Sequence, residues 1–189
     1  MTMTDEPPWF PVRTPRLLLR EFREADFDDV HAYATDPEVS RFMAWGPNTP
    51  DQTRDFMERK AAEQAEWPRD AVNLAMEHLV EGRVIGSIRL QVADREHRTA
   101  DLGYSLHRRY WRQGYGSEAA AALVNLAFVT LGMHRLYATC DVRNAGSYGI
   151  MEKLGMTREG CLRRNVLVKG AWRDTYLYAI LAEEWITPG

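Results

Sequence analysis

Cysteine is scarce in this chain of 189 residues: only Cys140, inside an apolar run, and Cys161, after a glycine, are present. Two cysteines with neither a C-x-x-C nor a metal-ligand spacing make no disulfide framework and no zinc site, and such sparse use fits a reducing cytoplasm. Long hydrophobic runs are missing too. No stretch approaches the roughly 18 apolar residues of a membrane helix, and the acidic, proline-containing start from Met1 to Pro11 lacks a signal-peptide core. Excess charge of either sign is also absent. A formal net charge of −3 implies neither a nucleic-acid-binding surface nor a polybasic membrane patch, so any basic feature must be local. There are no repeats and no low-complexity segments. What remains is 45% hydrophobic content in a length suited to one globular domain with a sizeable core. The expected organisation is a flexible tail over residues 1–13 followed by a single domain over 14–189.

Periodicity places the elements. Arg16 to Arg23 reads as a first strand, and Glu24-Ala25-Asp26 opens a helix that Pro37 ends. Thr49-Pro50-Asp51-Gln52 is a sharper start signal, with Thr at the N-cap, Pro at the first helical position and Gln closing a capping box; this helix should reach about Glu66. Strands follow from Val72 to Val80 and from Arg83 to Val92 around a Glu81-Gly82 turn, then from Thr99 to Leu106. A helix is expected from about Ser117 to Leu131, a strand from His134 to Val142 and a short helix from Asn144 to Leu154, with Gly155 as its C′ residue. A last hairpin runs from Leu162 to Val168 and from Ala171 to Leu181. The order predicts an α/β chain with one mixed sheet.

The most informative segment is Trp111-Arg112-Gln113-Gly114-Tyr115-Gly116-Ser117-Glu118, a glycine turn feeding an alanine-rich helix. Gly114 and Gly116 let backbone N–H groups approach a ligand without an intervening Cβ, and the positive end of the helix favours a diphosphate. Two glycines in a turn are also consistent with a simple tight bend. A dinucleotide site is another reading, since Gly114 to Ala119 satisfies G-x-G-x-x-G/A and Asp141 stands at a suitable distance for a ribose-binding acid. Against that, His107 to Gln113 intervene between the strand ending at Leu106 and the first glycine, where a Rossmann strand would run directly into it.

Several motifs in order carry a resemblance. Tyr110 to Ala119 lies after Ala100-Asp101-Leu102-Gly103-Tyr104 and before Asn144-Ala145-Gly146-Ser147 and Glu152-Lys153-Leu154-Gly155-Met156. This arrangement resembles the GCN5-related N-acetyltransferases. Thr14 to Arg20, Val84-Ile85-Gly86 and Gly170 to Asp174 resemble the branch containing the ribosomal-protein N-terminal acetyltransferases, and the likeness spans about Thr14 to Leu181. It implies a mostly antiparallel twisted sheet splayed at its central strands and flanked by about four helices. It also implies acetyl-CoA as co-substrate, no metal, and acetyl transfer to a protein N-terminal α-amine or to a small amine such as a polyamine, amino acid or antibiotic. A coenzyme A-binding module without turnover is the non-enzymatic alternative, and the reading allows a monomer or a homodimer.

On this resemblance, backbone groups near Leu106 and His107 would bind pantetheine or the thioester carbonyl. The amides of Gln113, Gly114, Tyr115, Gly116 and Ser117 would hold the diphosphate, and His107, Arg108, Arg109 and Arg112 would meet remaining phosphate charge, although Arg108 and Arg109 are equally readable as surface cations. Asp101 stands where the branch usually carries Glu and is the candidate general base, one methylene shorter and so suited to a water relay; its plainer role is a solvent-facing strand carboxylate. Many family members place a tyrosine at the position of Met151, which cannot donate. Ser147, in the N-x-x-S element, is therefore the candidate partner of the coenzyme sulfur, with Tyr148 a weaker one. Asn144 would bind pantetheine, cap the short helix, or both. Trp111 reads as packing and Cys140 as core. Trp45 and Trp172 lie in segments that flank the acceptor groove in relatives.

Overall fold

The computed structural model describes residues 10–65 and 69–186. The chain forms β1 (Val12–Arg13), β2 (Leu17–Arg20), α1 (Phe27–Ala34), α2 (Pro50–Ala65), β3 (Ala71–His78), β4 (Arg83–Asp94) and β5 (Thr99–Leu106). Then follow α3 (Tyr115–Asn125), β6 (Arg135–Asp141), α4 (Ala145–Lys153), β7 (Thr157–Val168) and β8 (Ala171–Leu181). One eight-stranded sheet has the order β1-β2-β3-β4-β5-β6-β8-β7. Every neighbouring pair is antiparallel except β5 with β6. Among the described residues this is an α/β fold with a mixed, mostly antiparallel sheet and four α-helices.

Local chemistry accounts for several boundaries. The capping box opens α2 as expected: Gln52 N donates to Thr49 Oγ1 at 3.3 Å and Thr49 N to Gln52 Oε1 at 2.9 Å. The first strand is shorter than expected and stops at Arg20, whose buried guanidinium turns to Asp26 with bonds of 2.7 and 2.8 Å. Val12 and Arg13, assigned to the tail from sequence, pair with Leu19 and Leu18 and extend the sheet; residues 1–9 lie outside the described part. Helix α3 begins at Tyr115, two residues earlier than expected, and continues from Leu126 to Thr130 as a π turn in which Leu131 N reaches Leu126 O at 3.0 Å. Strand β7 begins at Thr157 instead of Leu162. Its exposed edge carries polar residues that show no apolar alternation, so the period-two signal is missing there.

Two apolar layers cover the sheet. On one face, Ala119, Ala120, Leu123 and Val124 of α3 pack with Ala100 and Leu102 of β5 and with Leu136, Ala138 and Cys140 of β6. On the other, Val30, Tyr33 and Ala34 of α1 pack with Phe22, Ala75 and Val84. Alternation puts Asp101, Gly103 and Ser105 on the face opposite Ala100 and Leu102. The feature that matters most for a site is the pairing of β5 with β6, which is confined to Thr99–Asp101 against Arg135–Tyr137. Beyond Asp101, β5 stays registered with β4 and β6 with β8, so the two strands part and leave a gap at the centre of the sheet.

Candidate functional site

The glycine turn lies beyond the open end of that gap. Arg112 and Gly114 have φ of +59° and +86°, and Gly114 is the N-cap of α3 without a side-chain cap. The first intrahelical bond is Glu118 N to Gly114 O at 3.0 Å, so the N–H groups of Tyr115, Gly116 and Ser117 precede any intrahelical acceptor. Three such donors at the positive end of a helix suit an anion. Gln113 is more restricted: its side chain donates to Arg109 O at 2.7 Å and its carbonyl accepts from Arg16 Nη1 at 2.9 Å. The two glycines have different jobs. A Cβ on Gly116 would stand 2.7 Å from Ile150 Cδ1, so its bareness also serves the packing of α3 on α4.

Arg16 was not singled out from sequence, yet it braces this turn. Its Nε bonds Glu118 Oε2 at 2.6 Å, its N–H bonds Glu118 Oε1 at 2.8 Å, and its guanidinium lies 4.2 Å from the Tyr115 ring centre. Thr14 Oγ1 donates to Glu118 Oε1 at 2.6 Å. Burial pushes the Glu118 carboxyl up, but the Thr14 hydroxyl and the Arg16 donors together hold it below the usual carboxylate range. The only sequence signal was the Thr14-Pro15-Arg16 motif, 102 positions from its partner.

Backbone groups at the edge of the gap sort by alternation. His107 N donates to Ile85 O at 2.8 Å, which makes this a hydrogen-bonded antiparallel pair; the backbone of Leu106 and Tyr104 therefore faces away from β4, toward the gap. Leu106 O accepts from Trp111 Nε1 at 2.7 Å, so the exposed Trp111, expected to serve packing, fixes the chain through a hydrogen bond. The His107 backbone is engaged within the chain. Besides its engaged N–H, its carbonyl accepts from Tyr110 N at 3.0 Å and its Nδ1 from Arg109 N at 3.1 Å. Arg108 pairs with Asp36 at 3.1 Å, while Arg112 is exposed beside the turn.

Across the gap, Asn144 caps α4 by accepting from Ser147 N at 3.2 Å. Tyr104 of β5 reaches over, with its Oη donating to Ser147 O at 2.9 Å and lying 3.2 Å from Ser147 Oγ. Cys140 of β6 is buried, and burial pushes its thiol up to about 11 despite a Ser147 hydrogen bond. Met151 is core at 1% exposure, and Tyr148 is turned against Tyr176, ring centres 6.0 Å apart. Ser147, Tyr104 and Cys140 thus converge from α4, β5 and β6.

Asp101 sits at the last paired position of β5 and β6, on the opposite face. It is no solvent-facing carboxylate. Its Oδ2 pairs with Arg89 Nη2, and burial raises its pKa against the pull of that guanidinium. Arg89 stands opposite Gly103 and leans diagonally to Asp101. Asp141, the ribose acid of the dinucleotide reading, is buried and held by Arg143 N, Nε and Nη2 at 2.9, 2.8 and 2.6 Å, which removes that reading's key residue. Around the rim, Lys169 Nζ bonds Ser40 O at 2.7 Å and joins the β7–β8 hairpin to the loop after α1. Arg143 lies 5.5 Å from the Phe42 ring centre in that loop. Trp45 and Trp172 are 37% and 60% exposed on these two segments. Among the described residues, no cluster of three His, Cys, Asp or Glu side chains could hold a metal ion, and no helix is long and apolar enough to cross a membrane.

Comparison with known proteins agrees with this geometry. The acetyltransferase (GNAT) domain pattern matches residues 16–157. An uncharacterized N-acetyltransferase of Bacillus subtilis, YnaD, is 35% identical over 178 residues, covering 92% of this chain and 98% of its own. A GNAT-family acetyltransferase structure from Bacillus anthracis superposes with a TM-score of 0.81 at 34% identity, over 91% of this chain and 98% of that one. The Escherichia coli [ribosomal protein uS5]-alanine N-acetyltransferase is 33% identical over 88 residues, 47% of this chain and 45% of its own. With a family pattern over most of its length and relatives that match end to end, the chain belongs to the GCN5-related N-acetyltransferase (GNAT) family and is an acetyl-CoA-dependent N-acetyltransferase.

Proposed function

We propose that this enzyme acetylates protein N-terminal α-amines in the cytoplasm, with the coenzyme diphosphate on the amides of Tyr115, Gly116 and Ser117 and pantetheine in the gap between β5 and β6. The observation that carries the acceptor class is the engagement of Asp101 by Arg89. An α-amine with pKa about 8 is roughly one-tenth neutral at pH 7, whereas a lysine-type amine at about 10.4 is almost wholly protonated. A carboxylate already shared with a guanidinium suits the less demanding amine. Asp141 is likewise paired with Arg143, so neither of these two carboxylates is free to hold a polyamine's cations.

In this reading the neutral amine attacks the thioester carbonyl carbon, forming a C–N bond as the carbonyl becomes an oxyanion. The gap-facing N–H of Leu106 stabilises charge on the carbonyl or holds pantetheine in this reading; one oxyanion donor is worth on the order of 3 kcal/mol in other acyl-transfer enzymes. Collapse breaks the C–S bond, and Ser147 Oγ supports the departing thiolate. The amine's surplus proton passes to Asp101 through water. Asn144 fixes the first turn of α4, and Trp45 and Trp172 flank the acceptor's approach.

The deciding experiment offers the purified enzyme peptides with free α-amines, the same peptides Nα-blocked but carrying lysine, polyamines and free amino acids, with product identified by mass spectrometry. Acetylation of the free peptide N-terminus alone is expected. A polyamine or amino acid turned over with higher kcat/KM than every peptide overturns the acceptor assignment.

A further inference from the structure

We infer that Tyr104 is a positioning residue for the leaving-group step: its hydroxyl fixes the side chain and backbone of Ser147 so that Ser147 Oγ–H is presented to the coenzyme sulfur. This rests on the assignment of Ser147 made above. Many members of the family resemble one another in having a phenol on the helix of α4, but here that position is the buried Met151, and Tyr148 beside Ser147 is packed on Tyr176. The phenol that does reach Ser147 comes from the opposite wall of the gap. Tyr104 Oη contacts both Ser147 O, at 2.9 Å, and Ser147 Oγ, at 3.2 Å, from 43 positions earlier in the chain.

The arrangement has a directional consequence. A phenol has one proton to give and lone pairs to accept with. With its proton on Ser147 O, Tyr104 Oη can accept from Ser147 Oγ–H in the resting enzyme, which holds the hydroxyl rotor on one side of the gap. As the C–S bond breaks and negative charge develops on sulfur, that Oγ–H swings to the thiolate, while Oη remains anchored to the α4 backbone. Ser147 Oγ–H stabilises the thiolate by donating a hydrogen bond and keeps its own proton; the proton released by the amine passes through Asp101 and solvent to the sulfur, so charge and protons balance. Burial pushes the Tyr104 hydroxyl above its ordinary pKa, with the Ser147 hydrogen bond opposing, so it stays protonated at neutral pH. The contact is therefore a strut that spans the gap where β5 and β6 are unpaired.

The test is a double-mutant cycle with Tyr104→Phe and Ser147→Ala, reading single-turnover acetyl transfer and acetyl-CoA affinity by calorimetry; thermal melting verifies that each variant folds. Tyr104→Phe should slow the chemical step about threefold to tenfold, the worth of roughly one hydrogen bond, with acetyl-CoA Kd within about twofold of wild type. The double variant should be no slower than Ser147→Ala alone. If Ser147→Ala slows chemistry but Tyr104→Phe does not, or if the two losses multiply, the positioning role is overturned while the Ser147 assignment stands. If Ser147→Ala itself leaves chemistry unchanged, both fall. Should Tyr104→Phe melt too low to assay, Tyr104→Trp, which keeps an aromatic ring and removes the hydroxyl, must show the same non-additivity with Ser147→Ala; additive losses overturn the inference.

Discussion

Arg16 Nε and Glu118 Oε2 stand 2.6 Å apart and join the segment before β2 to the first turn of α3. The pair resolves a conflict of charge. A carboxylate near a helix N-terminus favours the helix dipole but repels an anionic ligand on the same turn. Arg16 neutralises Glu118 and also holds Gln113 O at 2.9 Å, so the turn keeps both its shape and its positive potential. Arg16→Ala should therefore weaken acetyl-CoA about tenfold, the scale of one charge-assisted hydrogen bond. Adding Glu118→Gln should restore part of the loss. Calorimetry at two salt concentrations checks this, and wild-type affinity in Arg16→Ala would detach the pair from coenzyme binding.

The same carboxylate sets a pH dependence. Glu118 is held below its ordinary pKa in the folded chain, so its contribution to stability is fully present above the unfolded value of about 4.3 and is lost as pH falls through the lower folded value. Melting curves of wild type and Glu118→Gln should differ at pH 7 and converge as the pH drops below about 4. A gap that persists unchanged into strong acid would show that the charge on Glu118 is immaterial to folding.

Gly114 and Gly116 should fail in different ways. Gly114 has φ +86° at the uncapped end of α3, where an L side chain is strained by about 1–2 kcal/mol and sits beside Arg16 Nη2 at 3.2 Å. Gly114→Val should abolish measurable coenzyme affinity at micromolar concentrations. Gly116→Ala instead meets Ile150 and should cost about 1 kcal/mol of stability, the low end of overpacking, recovered by Ile150→Val. Equal loss of binding in both variants, with no stability difference, would contradict this division.

What was legible in the sequence followed locality. The Thr49–Gln52 box and the cap of α4 at Asn144 act over three residues, so their partners sit within one motif. Alternation carried Thr99–Leu106 to its observed bounds because one face of it is core. Arg89 with Asp101, Arg16 with Glu118 and Tyr104 with Ser147 were hidden because each depends on strand register or on packing between distant elements. Strand β1 has two residues, too few for any period to register. The engagement of the His107 backbone likewise follows only once its N–H is known to face β4.

The sharpest test of the proton pathway is Asp101→Asn. Burial raises the Asp101 pKa and so makes its carboxylate a better base, while Arg89 occupies Oδ2 and leaves Oδ1 to accept a proton through water. If that is its role, Asp101→Asn should depress kcat/KM at least tenfold at pH 7 and progressively less as rising pH deprotonates the amine in solution. For an α-amine of pKa about 8, recovery should be nearly complete by about pH 9; for a lysine-type amine at about 10.4 it should remain partial there. Arg89→Gln serves as the companion variant. Releasing Asp101 from its guanidinium raises the carboxylate's proton affinity, so the acidic limb set by Asp101 should move upward in Arg89→Gln, whereas in Asp101→Asn only the limb set by the amine's own titration should remain. A profile for Asp101→Asn parallel to wild type at every pH would reduce Asp101 to a partner of Arg89, and the acceptor would then have to arrive already neutral.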